Sequence, residues 1–219
     1  MSVNYWLLPI ALLLLWFPRQ WLRFGGWISK TRRPPEDKSA RDVRDVSLKY
    51  SVEFKKSRNW VDFFRAIAGS LAISYGCFSY EPGASRMASE QIFTLQAAIF
   101  VIAVIIQTIR IEGKFALVAP VFFLLGLSFG IVGWKAAAFA CIAVWTINLT
   151  LPGPVSFLFV FAGLEVCFGL LLPRQASPRA AMLAAALAIL PVLFSALTKR
   201  RLVRMNKKTK TVRRQNEAG

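Results

Sequence analysis

The stretch FALVAPVFFLLGLSFGIVGWKAAAFACIAVWTINLTL, Phe115–Leu151, decides how this chain is read. Its 37 residues carry one charge, Lys135. A hydrocarbon core about 30 Å thick takes around 20 helical residues, so the stretch is too long for one crossing and suits two. Gly133-Trp134-Lys135, a helix breaker, an interface aromatic and a charge, divides it into Phe115–Gly133 and Trp134–Leu151, joined by a tight hairpin. Outward from this pair lie four more windows of spanning length: Trp60–Tyr80, Gln91–Ile109, Pro154–Leu172 and Arg179–Thr198. The expected fold class is all-α, a polytopic integral membrane helix bundle with six or seven transmembrane helices.

Charge orients the bundle. Basic residues concentrate in Arg19–Arg58 and in the tail from Lys199, and six windows lie between the two clusters. Lys and Arg resist translocation, and an even number of crossings puts both clusters on one face, the cytoplasmic one. Glu81, Arg86 and Glu90 then fall in one outer loop, and Arg174 and Arg179 flank another. Met1–Asn4 has no basic n-region and no small-residue cleavage site follows Phe17, so the first apolar stretch is expected to be retained. Tyr5–Phe17 is short and leads into Pro18, Arg19 and Arg23 amid Trp21, Phe24 and Trp27. It either crosses or lies in the interface, and the charge bias favours crossing with the N-terminus outside. The expected organisation is an N-terminal transmembrane or interfacial helix (1–28), a basic cytoplasmic linker (29–59), a six-helix transmembrane domain (60–198) and a basic cytoplasmic tail (199–219).

Composition agrees with this class: 56% of 219 residues are hydrophobic, with a mean hydropathy of +0.49. The net charge of +17 sits beside the apolar spans, where anionic headgroups attract it, so lipid and not nucleic acid is the expected partner. The chain contains no histidine, which excludes bis-His haem, His-containing zinc sites and Ser-His-Asp catalysis. Cys77, Cys141 and Cys167 form neither a disulfide framework nor a CxxC. The last span lacks the lysine that a retinal Schiff base would need, and Asp62 has no acidic neighbour with which to hold a metal. No catalytic signature emerges, and no cofactor is expected from the residues themselves.

Arg32-Arg33-Pro34-Pro35-Glu36-Asp37 reads as a polar linker. After it, Val46–Lys55 alternates strictly, with Val46, Leu48, Tyr50, Val52 and Phe54 on one face of a possible strand. Such a strand needs a partner, either a protein or a second copy joined through Val46–Phe54, or it rests its apolar face on the bilayer or on helix ends. Small residues recur at spacing four, as Ala68, Ala72 and Gly76, as Gly126 and Gly130, and as Ala180, Ala184 and Ala188. That spacing permits close helix packing, chiefly within the chain.

Glu165 is the acidic residue deep inside a window, eleven residues into Pro154–Leu172 and so about 16 Å from its cytoplasmic end. Intramembrane carboxyls stay neutral or pair, and they mark ion, proton or substrate pathways. Arg65, about 8 Å into Trp60–Tyr80, either reaches toward Glu165 or snorkels to the inner headgroups. Ser70, Gln96 and Gln107 complete the expected intramembrane polar site. Asn148–Pro154 is an uncharged, proline-flanked inner turn.

Gly163-Leu-Glu165-Val-Cys-Phe-Gly169, followed by Arg179-Ala-Ala, resembles the hairpin of DoxX-like membrane proteins, and Arg65-Ala-Ile-Ala-Gly69 is similar to the start of their first helix. The resemblance covers about two helices, which this chain separates by three more. It implies a quinone-linked or redox-associated subunit with Glu165 and Arg65 as its polar pair. The residues by themselves point first to a small permease or transport-like subunit of a bacterial inner membrane with Glu165 in its polar pathway. A non-transporting assembly or anchoring protein is the other alternative, and enzymatic activity is not expected.

Overall fold

The computed structural model describes residues 2–18, 53–79, 86–112, 114–151, 153–172, 177–199 and 202. The described chain is mostly helical, with seven α-helices: α1 (Leu7–Trp16), α2 (Ser57–Leu71), α3 (Arg86–Thr108), α4 (Val121–Ile131), α5 (Trp134–Ile147), α6 (Pro154–Leu171) and α7 (Pro178–Leu197). Two antiparallel strand pairs join them. β1 (Ser2–Val3) pairs with β2 (Phe78–Ser79), and β3 (Ile109–Glu112) pairs with β4 (Lys114–Leu117).

The centre of the bundle is α4. Its sequence is apolar on every side, which suits a helix enclosed by others, and Phe129 is the one residue of the eleven that is not buried. α2, α5, α6 and α7 all pack on it. The closest approach is to α2. A Cβ added at Gly126 would lie 2.3 Å from the Phe63 carbonyl oxygen, and one at Gly130 would lie 2.4 Å from the Ser70 backbone. The Gly126/Gly130 spacing thus serves contact within the chain, as small residues at helix crossings do. Gly169 of α6 meets Ala181 of α7 in the same manner.

Local chemistry sets the helix ends. Gly133, at φ 83°, makes the tight turn between α4 and α5, a region where a side chain is strained. Pro154 and Pro178 occupy first-turn positions that need no donor. Ser177 caps α7, its hydroxyl accepting from the Ala180 amide at 3.2 Å. Asn148–Thr150 forms a 3₁₀ turn with Asn148 buried.

Three helices, spanning Met87–Thr108, Pro154–Leu171 and Pro178–Leu197, are long and apolar enough to cross a membrane. The window Trp60–Tyr80 is helical from Ser57 to Gly76, ending in a π-helical turn over Ala72–Gly76, but it is amphipathic. The window Phe115–Gly133 differs from expectation. Its first residues belong to the β3–β4 hairpin, and the helix starts only after Pro120, whose missing N–H and fixed φ suit the residue preceding a helix. The Leu124 amide donates to the Pro120 carbonyl at 3.0 Å.

The strand expected over 46–55 ends differently: Glu53 is helical and Phe54 and Lys55 form a turn, while 46–52 lie outside the described residues. Phe54 instead enters an aromatic cluster, 4.8 Å from Trp145 and 5.5 Å from Phe122. Trp145 in turn lies 5.2 Å from Phe157. These edge-on contacts tie the entry of α2 to α4, α5 and α6.

α1 runs antiparallel to α2. Leu7 packs at Gly76 and Leu15 at Gly69, and the Asn4 amide donates to the Cys77 carbonyl at 2.9 Å. The ten residues of this helix rise about 15 Å.

Candidate functional site

Polarity in α2 points inward. Asn59, Asp62, Arg65 and Ser70 are buried, whereas Phe64 is 60% and Tyr75 65% exposed. The buried face ends in an ion-pair cluster. Arg65 Nε donates to Asp62 Oδ1 at 3.0 Å, and its Nη2 lies 3.0 Å from the same oxygen. The same Nη2 donates to Gln107 Oε1 on α3 at 2.8 Å, and Nη1 donates to the Phe17 carbonyl at 2.5 Å. Gln107 Nε2 donates back to the carbonyls of Leu15 (3.1 Å) and Phe17 (3.0 Å). The Phe123 ring on α4 covers the guanidinium, its centroid 5.5 Å from Cζ. Arg65 therefore ties α1, α2 and α3 together beneath α4, and removal of either partner would leave an uncompensated buried charge.

The pair expected between Arg65 and Glu165 is not what forms. Asp62, three residues back on the same helix, supplies the carboxylate that Arg65 uses, as i,i+3 spacing allows. Nor does Arg65 snorkel, being 9% exposed. The remaining expected site residues serve other contacts. Ser70 Oγ donates to the Ile67 carbonyl at 3.1 Å, and Ser70 packs against Gly130. Gln96 Nε2 donates to the Ile73 carbonyl at 2.9 Å, inside the π turn, where the shifted register leaves that oxygen in need of a donor.

Glu165 stands apart from these groups. It is 1% exposed on α6 and faces a gap walled by α4 and α7, with Leu124, Ser128, Phe161, Ala184 and Ala188 around it. The gap is too small to hold a water molecule. The hydroxyl within its reach is Ser128, whose own proton goes to the Leu125 carbonyl at 2.7 Å. Glu165 Oε2 has no hydrogen-bond partner. A buried carboxyl with an unpartnered oxygen is costly, and groups of that kind are found mainly where they have a function. Ser128 is the partner that sequence reading missed, and its signal is present: it is the one hydroxyl in the otherwise apolar α4.

Two further polar contacts frame the bundle. Lys56 Nζ and Asn59 Nδ2 each donate to the buried Glu53 carboxylate at 2.8 Å. Arg179 Nη1 donates to Glu90 Oε1 at 2.6 Å, linking the starts of α7 and α3. In the DoxX-like resemblance Arg179-Ala-Ala follows the glutamate, and here the Arg179 head goes to Glu90. Cys77, Cys141 and Cys167 are free thiols. Among the described residues no group of three or more His, Cys, Asp or Glu could hold a metal ion. No protein-family model, curated protein or solved structure matches the chain.

Proposed function

We propose that this chain is a polytopic membrane protein acting as a small permease or transport-like subunit, with Glu165 as its functional carboxyl. The observation that carries the membrane part is the inverted polarity of the fold. Asp62, Arg65, Gln107 and Glu165 lie inside, while Ile10, Leu13, Phe64, Tyr75, Phe139, Ile142 and Leu197 are exposed. In water that arrangement is unfavourable, and in lipid it is the stable one. The β1–β2 pairing and the Glu90–Arg179 contact are consistent with α1 and six further crossings, the N-terminus outside and the tail from Lys199 in the cytoplasm.

The transport part rests on Glu165, a buried carboxyl with an unpartnered oxygen. Closed packing around it favours the second reading, a non-transporting assembly protein. The DoxX-like, quinone-associated reading has less support, since Glu165 and Arg65 have separate partners. Complementation separates these readings. In a deletion background, Glu165→Gln, which keeps shape and most hydrogen-bonding capacity, is expected to accumulate as monodisperse membrane protein yet fail to reverse the deletion phenotype. Full restoration by Glu165→Gln would refute the transport reading and leave the assembly role.

A further inference from the structure

Resting on that reading of Glu165, we propose that the occupant of this site is a proton exchanged with solvent, and not a metal cation or an anionic substrate. The first ground is the inventory of oxygen atoms. Calcium takes about six to eight oxygen ligands and magnesium a near-ideal octahedron. The walls around Glu165 offer one hydroxyl, Ser128, and otherwise hydrocarbon such as Leu124, Leu187 and Ala188. The nearby Leu125 carbonyl already accepts from Ser128. An anionic substrate meets no cation here, because Arg65 is held by Asp62 and Arg179 by Glu90.

The second ground is the direction of the hydrogen bonds. Ser128 Oγ donates to the Leu125 carbonyl at 2.7 Å, and while that bond is made its oxygen is left to accept. A neutral carboxylic acid beside that oxygen brings a donor to it, whereas a carboxylate would set two acceptors against each other. Space is the third ground: a gap that excludes water admits a proton carried on the carboxyl itself.

The groups facing Glu165 leave the proton to it. α4 contributes no titratable side chain. On α5, Cys141 is close enough to interact, with Sγ 4.0 Å from the Leu125 carbonyl, while Lys135 is exposed at the start of the helix. On α7 the titratable group is Arg179, exposed at the far end and engaged by Glu90. Release of the proton requires the packing around Glu165 to open to an acceptor, because the gap is too small for a water molecule.

Infrared difference spectroscopy of the full-length protein in liposomes tests this, using the carboxylic C=O band that disappears in Glu165→Gln. The expected result is a band in H₂O that shifts down in D₂O, is lost as pH is raised, and is unchanged by sodium, potassium or magnesium chloride. Ser128→Ala keeps the carboxyl and is expected to shift the band up by removing its acceptor, which guards against a misfolded Glu165→Gln protein. A band suppressed by one of the cations at constant pH would overturn the proton assignment and leave Glu165 as a transport carboxyl. A band that never shifts in D₂O would overturn exchange and make Glu165 structural, removing the transport reading as well. Absence of any Glu165 band at every pH would mean a permanent carboxylate and also overturn the proposal.

Discussion

Replacing Arg65 by leucine removes the guanidinium from a site where Asp62 is 1% exposed and where Gln107 Oε1 and the Phe17 carbonyl also accept from it. Breaking a buried ion pair by removing one partner costs about 3–5 kcal/mol, most of it from the charge left behind. Asp62→Leu leaves the complementary charge and is expected to cost a similar amount. In the double variant neither charge remains, so the loss is expected to fall short of the sum by about 2–3 kcal/mol, the upper part of the range for residues in direct contact. The control cycle joins Arg65→Leu with Glu165→Gln. These two side chains share no hydrogen-bond partner, so their effects are expected to add within about 0.5 kcal/mol. Equilibrium unfolding in mixed detergent micelles, followed in a background lacking Cys141 and Cys167 by reaction of the buried Cys77 thiol with a fluorogenic dye, measures both cycles. Additivity of Arg65 with Asp62, or strong coupling of Arg65 with Glu165, would refute this assignment of partners.

Three other expectations use different parts of the bundle. Gly130→Ala places a Cβ 2.4 Å from the Ser70 backbone and is expected to cost about 1–3 kcal/mol by forcing α2 and α4 apart; Gly163→Ala, with nothing within 4 Å, is the silent control in the same unfolding assay. Cysteines replacing Ser2 and Ser79, whose hydroxyls lie 2.6 Å apart across β1–β2, are expected to form a disulfide on oxidation in a background lacking the native thiols; failure to cross-link on a non-reducing gel would contradict the path of α1. Single cysteines at Lys38, Lys55 and Lys207 should resist a membrane-impermeant reagent in intact cells while those at Glu81 and Gln175 react, and labelling of position 207 from outside would invert the topology.

Much of the helical order is legible in the chain because helix length and glycine placement are local properties. Gly133 divides Phe115–Leu151 as its neighbours Trp134 and Lys135 imply, and the Gly126/Gly130 spacing matches the close approach to α2. The β3–β4 hairpin was hidden by composition. Phe115–Leu117 continues an apolar run, so its pairing with Ile109–Ile111 is outweighed in a search for spans, although Glu112-Gly113-Lys114 marks a turn. The partners of Arg65 and Glu165 were hidden for another reason. Depth along a helix is countable from sequence, but which face meets which neighbour depends on helix rotation in the assembled bundle. Asp62 lies within local reach of Arg65 at i,i+3, whereas the pairing with Glu165 rests on the parallel course and depth of the two windows, which leave their facing undetermined. Ser128 is marked in the sequence as the one hydroxyl of an apolar helix, but its place beside Glu165 follows only from the central position of α4.

The enclosure of α4 also sets an order of construction. Its earlier neighbour in the chain, α2, can dock through Gly126 and Gly130 as soon as α4 emerges, but α5, α6 and α7 are made later. Until the last hairpin arrives, the side of α4 that carries Ser128 faces an unfinished interface. Glu165 enters on α6, and Ala184 and Ala188 of α7 close the last wall around it. A chain truncated before Pro178 would therefore hold both Glu165 and Ser128 and still lack the wall that closes the gap between them. Completion of the bundle and sealing of its carboxyl are one event, and quality control that detects the open form would be detecting an unfinished protein.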